Sequence, residues 1–324
     1  MKSVVTNPHY RIYQSTRMLR LSYSERHPIP LPPGHKFPIE KYKLVREQLE
    51  YLGIIRREQL FAPEFIEDDV ICLTHDPAWW ARAKAHALDD KEYRRIGFPK
   101  CEELVSRSIS SASGTLRSAL HALEDGAGMN LAGGTHHAFF DRGEGFCLLN
   151  DIAIAANYLL HHGLVNRILV VDLDVHQGNG TAALFRHEPR VFTFSMHCRD
   201  NYPLHKEESD LDIELPAYTG DAVYLATLRQ HIPRLMEEFK PDIVFYQSGV
   251  DVLATDRLGK LSLSREGCRE RDQEVISQAH RLRIPLVLVM GGGYSERYTT
   301  IVNAHTTTYQ LVLEQYEKPA FYLS

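Results

Sequence analysis

The chain has 324 residues, 44% of them hydrophobic and 24% charged, a composition that excludes a disordered or fibrous protein. The formal net charge of −5 offers no positive field for binding nucleic acid through its phosphates. Cys72, Cys101, Cys147, Cys198 and Cys268 are odd in number and never spaced as CxxC, which excludes a disulfide framework and a cysteine zinc site. The N-terminus shows no apolar signal region, and no stretch reaches the apolar length of a membrane span, so a reducing cytoplasm is the expected compartment.

In chain order, the first strong punctuation is the proline-rich run 28–38, PIPLPPGHKFP, which reads as a loop. Beyond it, Tyr42, Val45, Leu49 and Leu52 recur at helical spacing, and Pro38 can occupy the first turn of that helix. Short apolar runs follow at 70–73, 129–132, 168–173, 191–195, 243–247 and 286–290. Between them lie helical patterns at roughly 103–124, 150–162, 220–239 and 265–281. Strands and helices in alternation, with strands apolar throughout, predict an α/β fold with a central, mostly parallel sheet and helices on both faces. No repeat, low-complexity tract or linker divides the chain, so one domain over 1–324 is expected. In such sheets a ligand lies beyond the carboxyl ends of the strands. The polar clusters GGTHH, DVHQGNG, GVDVLATD and GGGY each follow a predicted strand.

In VVDLDVHQGNG, Asp172, Asp174 and His176 are spaced by two, which on an extended strand sets all three on one side. An isolated DxH is more often a buried ion pair. Three such groups closing an apolar strand would be costly to bury unpaired, which favours a bound cation. A third protein ligand can come from Asp251 or Asp256 in SGVDVLATDRLG, although either alone is more often a loop or helix-cap aspartate. Two aspartates and a histidine leave coordination positions open, as catalysis requires. The adjacent His136 and His137 follow a glycine pair and can exchange protons with water or a leaving amine. In a chain with 17 histidines the pair could be coincidence, but its place at a strand's carboxyl end favours function. A bare GGGY is a tight turn with a packed tyrosine; in this company the Tyr294 phenol can donate to an oxyanion.

GGTHHAFFDRGEGFC, VVDLDVHQGNG, SGVDVLATDRLG and GGGY resemble, in order and spacing, the histone deacetylase family over nearly the whole chain. DRGEGFC, HQGNGT, DRLGKLSLS and LPPGHKFPIEKY look most like the class IV branch and its bacterial relatives. The resemblance implies a single-domain arginase/deacetylase fold and a zinc-dependent deacylase. It implies Asp174, His176 and Asp256 as zinc ligands with Asp251 in support, and His136, His137 and Tyr294 as catalytic groups. Asp172 would stand behind His136 and Asn179 behind His137. Gly145, Phe146, Tyr202 and Gly292 would line the substrate tunnel, with His35 and Lys36 toward its inner end. A structural K(+) or Na(+) would use Asp172, Asp174, His176, Ser195 and Met196, and Fe(2+) could replace zinc. The substrate implied is an acylated lysine in a protein or peptide, or a small acylated amine.

One departure concerns the rim. The segment YRRIGFPKCEELVSRS lacks the rim aspartate motif with which class I members grip a peptide backbone. Gly178 stands where a dimanganese arginase-type site would need a further aspartate, so one catalytic metal is expected. An acetylpolyamine amidohydrolase shares the catalytic parts and is the nearest alternative. An inactive acyl-lysine-binding module would have no use for Tyr294.

Overall fold

The structure, a computed structural model, describes residues 18–24 and 27–317. Its strands are β1 (Leu21–Ser22), β2 (Leu60–Phe61), β3 (Ala127–Asn130), β4 (Ile168–Asp172), β5 (Val191–Cys198), β6 (Leu211–Leu215), β7 (Ile243–Gln247) and β8 (Leu286–Val289). Its helices are α1 (Lys41–Tyr51), α2 (Asp68–Ile71), α3 (Pro77–Lys84), α4 (Asp90–Ile96), α5 (Glu102–Asp125), α6 (Asp151–His161), α7 (Asn179–Phe185), α8 (Asp221–Phe239), α9 (Arg265–Arg281) and α10 (Tyr298–Tyr316). The strands form one sheet in the order β2-β1-β3-β8-β7-β4-β5-β6, and every neighbouring pair is parallel. The expected mostly parallel sheet is thus parallel at every pairing among the described residues.

Two apolar layers explain why the strands read as unbroken hydrophobic runs. Ile168 and Val170 pack with Ile243, Phe245, Val287 and Val289 against Leu116, Ile152 and Leu159 of α5 and α6. Leu169, Val171, Val244, Tyr246 and Leu288 face the opposite layer, with Leu228, Val275 and Tyr309 of α8, α9 and α10. Each central strand is therefore buried on both sides, so alternate positions carry no polar signal.

Three expectations are corrected. Residues 70–73 are not a strand: α2 covers Asp68–Ile71, with Asp68 and Asp69 in its first turn, where the helix dipole favours acid. A four-residue apolar run does not distinguish the two states. Pro38 lies outside α1, whose N-cap is Glu40. β4 ends at Asp172, so Asp174 and His176 stand in a bend rather than on an extended strand. The sequence reading also missed β1 and β2, each two residues long, the edge strand β6, and helices α3, α4, α7 and α10.

Candidate active site

The loops after β3, β4, β7 and β8 meet at the carboxyl end of the sheet. The GGTHH loop is fixed first. The Asp151 carboxylate, at the start of α6, accepts from the backbone N–H and hydroxyl of Thr135 at 2.7 and 2.6 Å, and from the Gly134 N–H at 3.1 Å. With that loop held, His136 Nδ1 lies 2.6 Å from Asp172 Oδ2, and His137 Nδ1 lies 2.7 Å from Asn179 Oδ1. The two rings stand 4.0 Å apart between centroids, and both side chains are buried.

Beyond β4 the chain folds back on the Asp174 carboxylate. Its Oδ1 accepts from the His176 N–H at 3.0 Å and lies 3.0 Å from His176 Nδ1; its Oδ2 accepts from Gly292 N–H at 2.8 Å. Asp251 Oδ1 accepts from Val175 N–H at 3.0 Å, while its Oδ2 lies 3.3 Å from His176 Nδ1. That Oδ2 is buried without a hydrogen-bond partner. Asp174, His176 and Asp251 are the one fully buried group among the described residues whose donor atoms could hold a metal ion. Asp256, the third ligand implied by the resemblance, falls outside this group. Its Oδ1 accepts from Leu258 and Gly259 N–H, each at 2.9 Å, and its Oδ2 from Tyr294 N–H at 2.6 Å.

Glycine is required where the loops close on these carboxylates. A Cβ on Gly292 would stand 1.9 Å from Asp251 Oδ2 and 2.7 Å from Asp174 Oδ2. Gly145, with φ +55°, admits no side chain either, because its Cβ would lie 2.7 Å from the His137 ring.

Burial and charge set the protonation states. Burial opposes charge on His136, but Asp172 outweighs it and raises the pKa. Burial, with the charges of His136 and His176, holds His137 well below the ordinary histidine value. Burial also opposes charge on His176, yet the neighbouring Asp174 and Asp251 carboxylates push it up to about 10. Burial and the Asp174 charge push Asp251 up to about 7. Burial, with the charges of Asp174 and Asp251, keeps the Tyr294 phenol protonated and able to donate. Two carboxylates converging on one imidazole nitrogen, with one buried oxygen unsatisfied, form a donor set that fits a divalent cation, which would take the place of the proton on His176.

A cavity of about 40 Å³ leads to this group, lined by Phe37, Tyr42, His136, His137, Gly145, Phe146, Asp174, His176, Gly292 and Tyr294, among others. Phe146 packs at 6.1 Å from the Tyr294 ring and 5.3 Å from Phe37. Tyr202, 37% exposed, stands edge-on to His137 at 5.0 Å, at the outer rim. His35 and Lys36 do not line the cavity: His35 belongs to a neighbouring surface groove and Lys36 is exposed, while Phe37 and Tyr42 take the inner places. Ser195 of β5 is the register partner of Asp172, which brings Ser195 and the buried Met196 beside the site.

Sequence reading missed three polar residues here. Lys41 is buried and donates to the Gly291 carbonyl at 2.9 Å, with its ammonium over the Tyr294 ring. Arg271 is buried beneath the loops that carry Asp174 and Asp251. Glu144 faces Asn179 and Tyr202. Lys41 and Glu144 lie within LPPGHKFPIEKY and DRGEGFC, but residue type alone places lysine, arginine and glutamate on the surface, so none of the three was given a role.

The model of the histone deacetylase domain matches residues 35–309. The chain belongs to the histone deacetylase family. It is a hydrolase of the deacetylase type, and the family acts on acylated amines. An uncharacterized protein of Picosynechococcus sp. is 42% identical over 287 residues, 89% of this chain and 96% of that protein. Histone deacetylase 2 of Arabidopsis thaliana is 32% identical over 192 residues, 58% of this chain and 50% of that deacetylase. The acetoin utilization protein AcuC of Staphylococcus aureus is 27% identical over 93% of this chain and 81% of AcuC. In fold, the deacetylase matches the crystal structure of the HDA15 HD domain with a TM-score of 0.76 at 19% identity, over 95% of this chain and 91% of that one. Among the described residues no helix is long and apolar enough to cross a membrane.

Proposed function

We propose that this deacetylase is a zinc-dependent deacylase of the class IV type that hydrolyses N6-acyl-lysine in a protein or peptide. The observation that carries the reading is a narrow, aromatic-walled cavity ending on a carboxylate–imidazole group, with two differently partnered histidines and a neutral phenol around it. The slender chain of an acylated lysine matches such a passage. Zinc, or Fe(2+) with the same donors, supplies Lewis acidity toward the amide carbonyl and water. His137, neutral and oriented by Asn179, takes the proton of the attacking water. His136, charged beside Asp172, gives electrostatic support. The Tyr294 O–H donates a hydrogen bond to the oxyanion, and the proton on His137 passes to the leaving amine. The products are a carboxylate and a free amine.

For the metal, our reading joins Asp174 and His176 to Asp256, with Asp251 behind. Asp251 is fully buried, whereas Asp256 is partly exposed and accepts from the backbone N–H of Tyr294, whose side chain lines the cavity. A structural K(+) or Na(+) would sit at Asp172, Asp174, His176, Ser195 and Met196, supported by the pairing of Asp172 with Ser195. The five free cysteines suit a cytoplasmic setting, and the whole of 1–324 would act as one domain.

One zinc-loaded preparation, assayed on acyl-lysine peptides of different chain length and on acylated polyamines, tests the substrate. Turnover confined to polyamines would overturn the lysine assignment. Elemental analysis tests the ligands: Asp256→Ala should lose the ion, and Asp251→Ala should keep it at weaker affinity. The reverse result would make Asp251 the ligand.

A further inference from the structure

His137 has no carboxylate behind it, only the amide of Asn179, and an amide can face a ring nitrogen with either end. Oxygen toward the ring selects the Nδ1–H tautomer and leaves Nε2 with a lone pair. NH₂ toward the ring selects the opposite tautomer, which cannot act as a base from Nε2. Something must therefore choose the orientation of Asn179.

The choice is made on the far side of the amide. Asn179 Nδ2 donates to Glu144 Oε1 at 3.3 Å. A carboxylate only accepts, so the NH₂ must face it, the oxygen must face His137, and Nδ1 of His137 must carry the hydrogen. The same Glu144 oxygen accepts the hydroxyl of Tyr202. Glu144 is itself set in place by a tight turn: its N–H donates to Cys147 O at 2.8 Å, Cys147 N–H returns to Glu144 O at 2.9 Å, and Arg142 Nε reaches Oε2 at 3.4 Å. That turn carries Gly145 and the cavity wall Phe146.

We propose that Glu144 is a positioning residue: acting through Asn179 it holds His137 in the tautomer needed of a base, and through Tyr202 it ties the tunnel rim to that same setting. The carboxylate that stands directly behind His136 is, for His137, placed one amide further out. The proposal rests on the reading of His137 as the base, and its test separates the two.

The readout is ¹⁵N NMR of histidine-labelled, zinc-bound full-length protein, with the His137 signals identified by their loss in His137→Ala. In the wild type His137 should be the Nδ1–H tautomer. Glu144→Met removes the acceptor with little change in volume; it should give mixed tautomers and lower kcat by about tenfold or more, the scale of a lost hydrogen bond to a charged group. Tyr202→Phe breaks only the rim contact and should raise KM while leaving the tautomer alone. Asn179→Asp in the Glu144→Met background puts a carboxylate directly behind His137 and should restore both the tautomer and most of kcat. A purely structural role for Glu144 gives no reason for rescue at position 179. Glu144→Met with the wild-type tautomer would overturn the proposal, as would a folded double variant without rescue. A tautomer change without a fall in kcat would uphold the role of Glu144 and remove His137 as the base.

Discussion

At the scale of single residues, the site separates two adjacent histidines by what stands behind each. His136 at 2.6 Å from Asp172 is held toward the charged form, and His137 at 2.7 Å from Asn179 toward the neutral one. Both partners are those that the family resemblance implies, and the opposite pKa directions follow from their chemistry. His137→Ala should therefore cost more activity at neutral pH than His136→Ala. Asn179→Asp raises the pKa of His137, because a carboxylate favours the imidazolium. A base must be neutral, and activity is lost as pH falls through its pKa. The acidic limb of kcat/KM should thus move to higher pH in Asn179→Asp; a limb that stays put at normal metal content would show that His137 is not the base. Tyr294→Phe deletes one donor and hardly any volume. It should lower kcat by about 10²–10³ while metal content and thermal unfolding stay as in the wild type. Full activity of that variant would take Tyr294 out of the mechanism. Glu144 and Lys41 were illegible in the sequence because their partners lie far along the chain: Glu144 meets Asn179 and Tyr202, and Lys41 meets Gly291.

At the scale of elements, α9 supports the loops that carry the carboxylates. Arg271 is fully buried, and its guanidinium donates to Leu173 O at 3.2 Å, to Gly249 O at 2.6 Å and to Ser248 O at 3.5 Å. These carbonyls lie just past the ends of β4 and β7, next to Asp174 and Asp251. Asp272 pairs with Arg271 and also accepts from Tyr246 and Thr308 at 2.5 and 2.6 Å, which joins α9 to β7 and α10. Arg271→Leu leaves Asp272 buried without its cation. It should destabilise the protein by about 3–5 kcal/mol in chemical denaturation and weaken metal binding as the two loops loosen. A loss below about 1 kcal/mol would mean that Tyr246 and Thr308 alone satisfy Asp272. Helical spacing marks α9 well enough, but not which of its many charged residues turns inward.

At the scale of the whole molecule, buried neutral histidines make stability depend on pH. His75 joins Phe139 O at 2.8 Å to the Asn150 N–H at 3.0 Å, and burial lowers its pKa to about 4. In the unfolded chain the value is about 6.5. The folded pKa is the lower one, so the contribution is complete above pH 6.5 and is lost as pH falls from there toward 4. Over that window His75 alone accounts for about 3 kcal/mol. His197, also lowered to about 4 by burial, acts in the same direction. Urea denaturation should show clearly lower stability at pH 4.5 than at pH 7, with protons taken up on unfolding. His75→Gln should flatten that dependence even where it lowers stability overall; an unchanged slope would show that His75 does not supply it.

The sequence by itself determined the alternation of strands and helices, the two-sided burial of the sheet and the loops that carry the chemistry. These are local properties: β7 and α9 were readable residue for residue because apolar runs and helical spacing lie within a few neighbours. Only the tertiary structure decided which carboxylates converge. Asp251 joins Asp174 and His176, whereas Asp256 turns its oxygens to three backbone N–H groups, and five residues of spacing carry no information on either. It also decided the edge strands, since β1 and β2 are two residues long and exist as strands through the partners they pair with. The physical reason is the same in each case: a hydrogen bond or ion pair between distant segments depends on how the chain returns, and the composition of either segment does not record it.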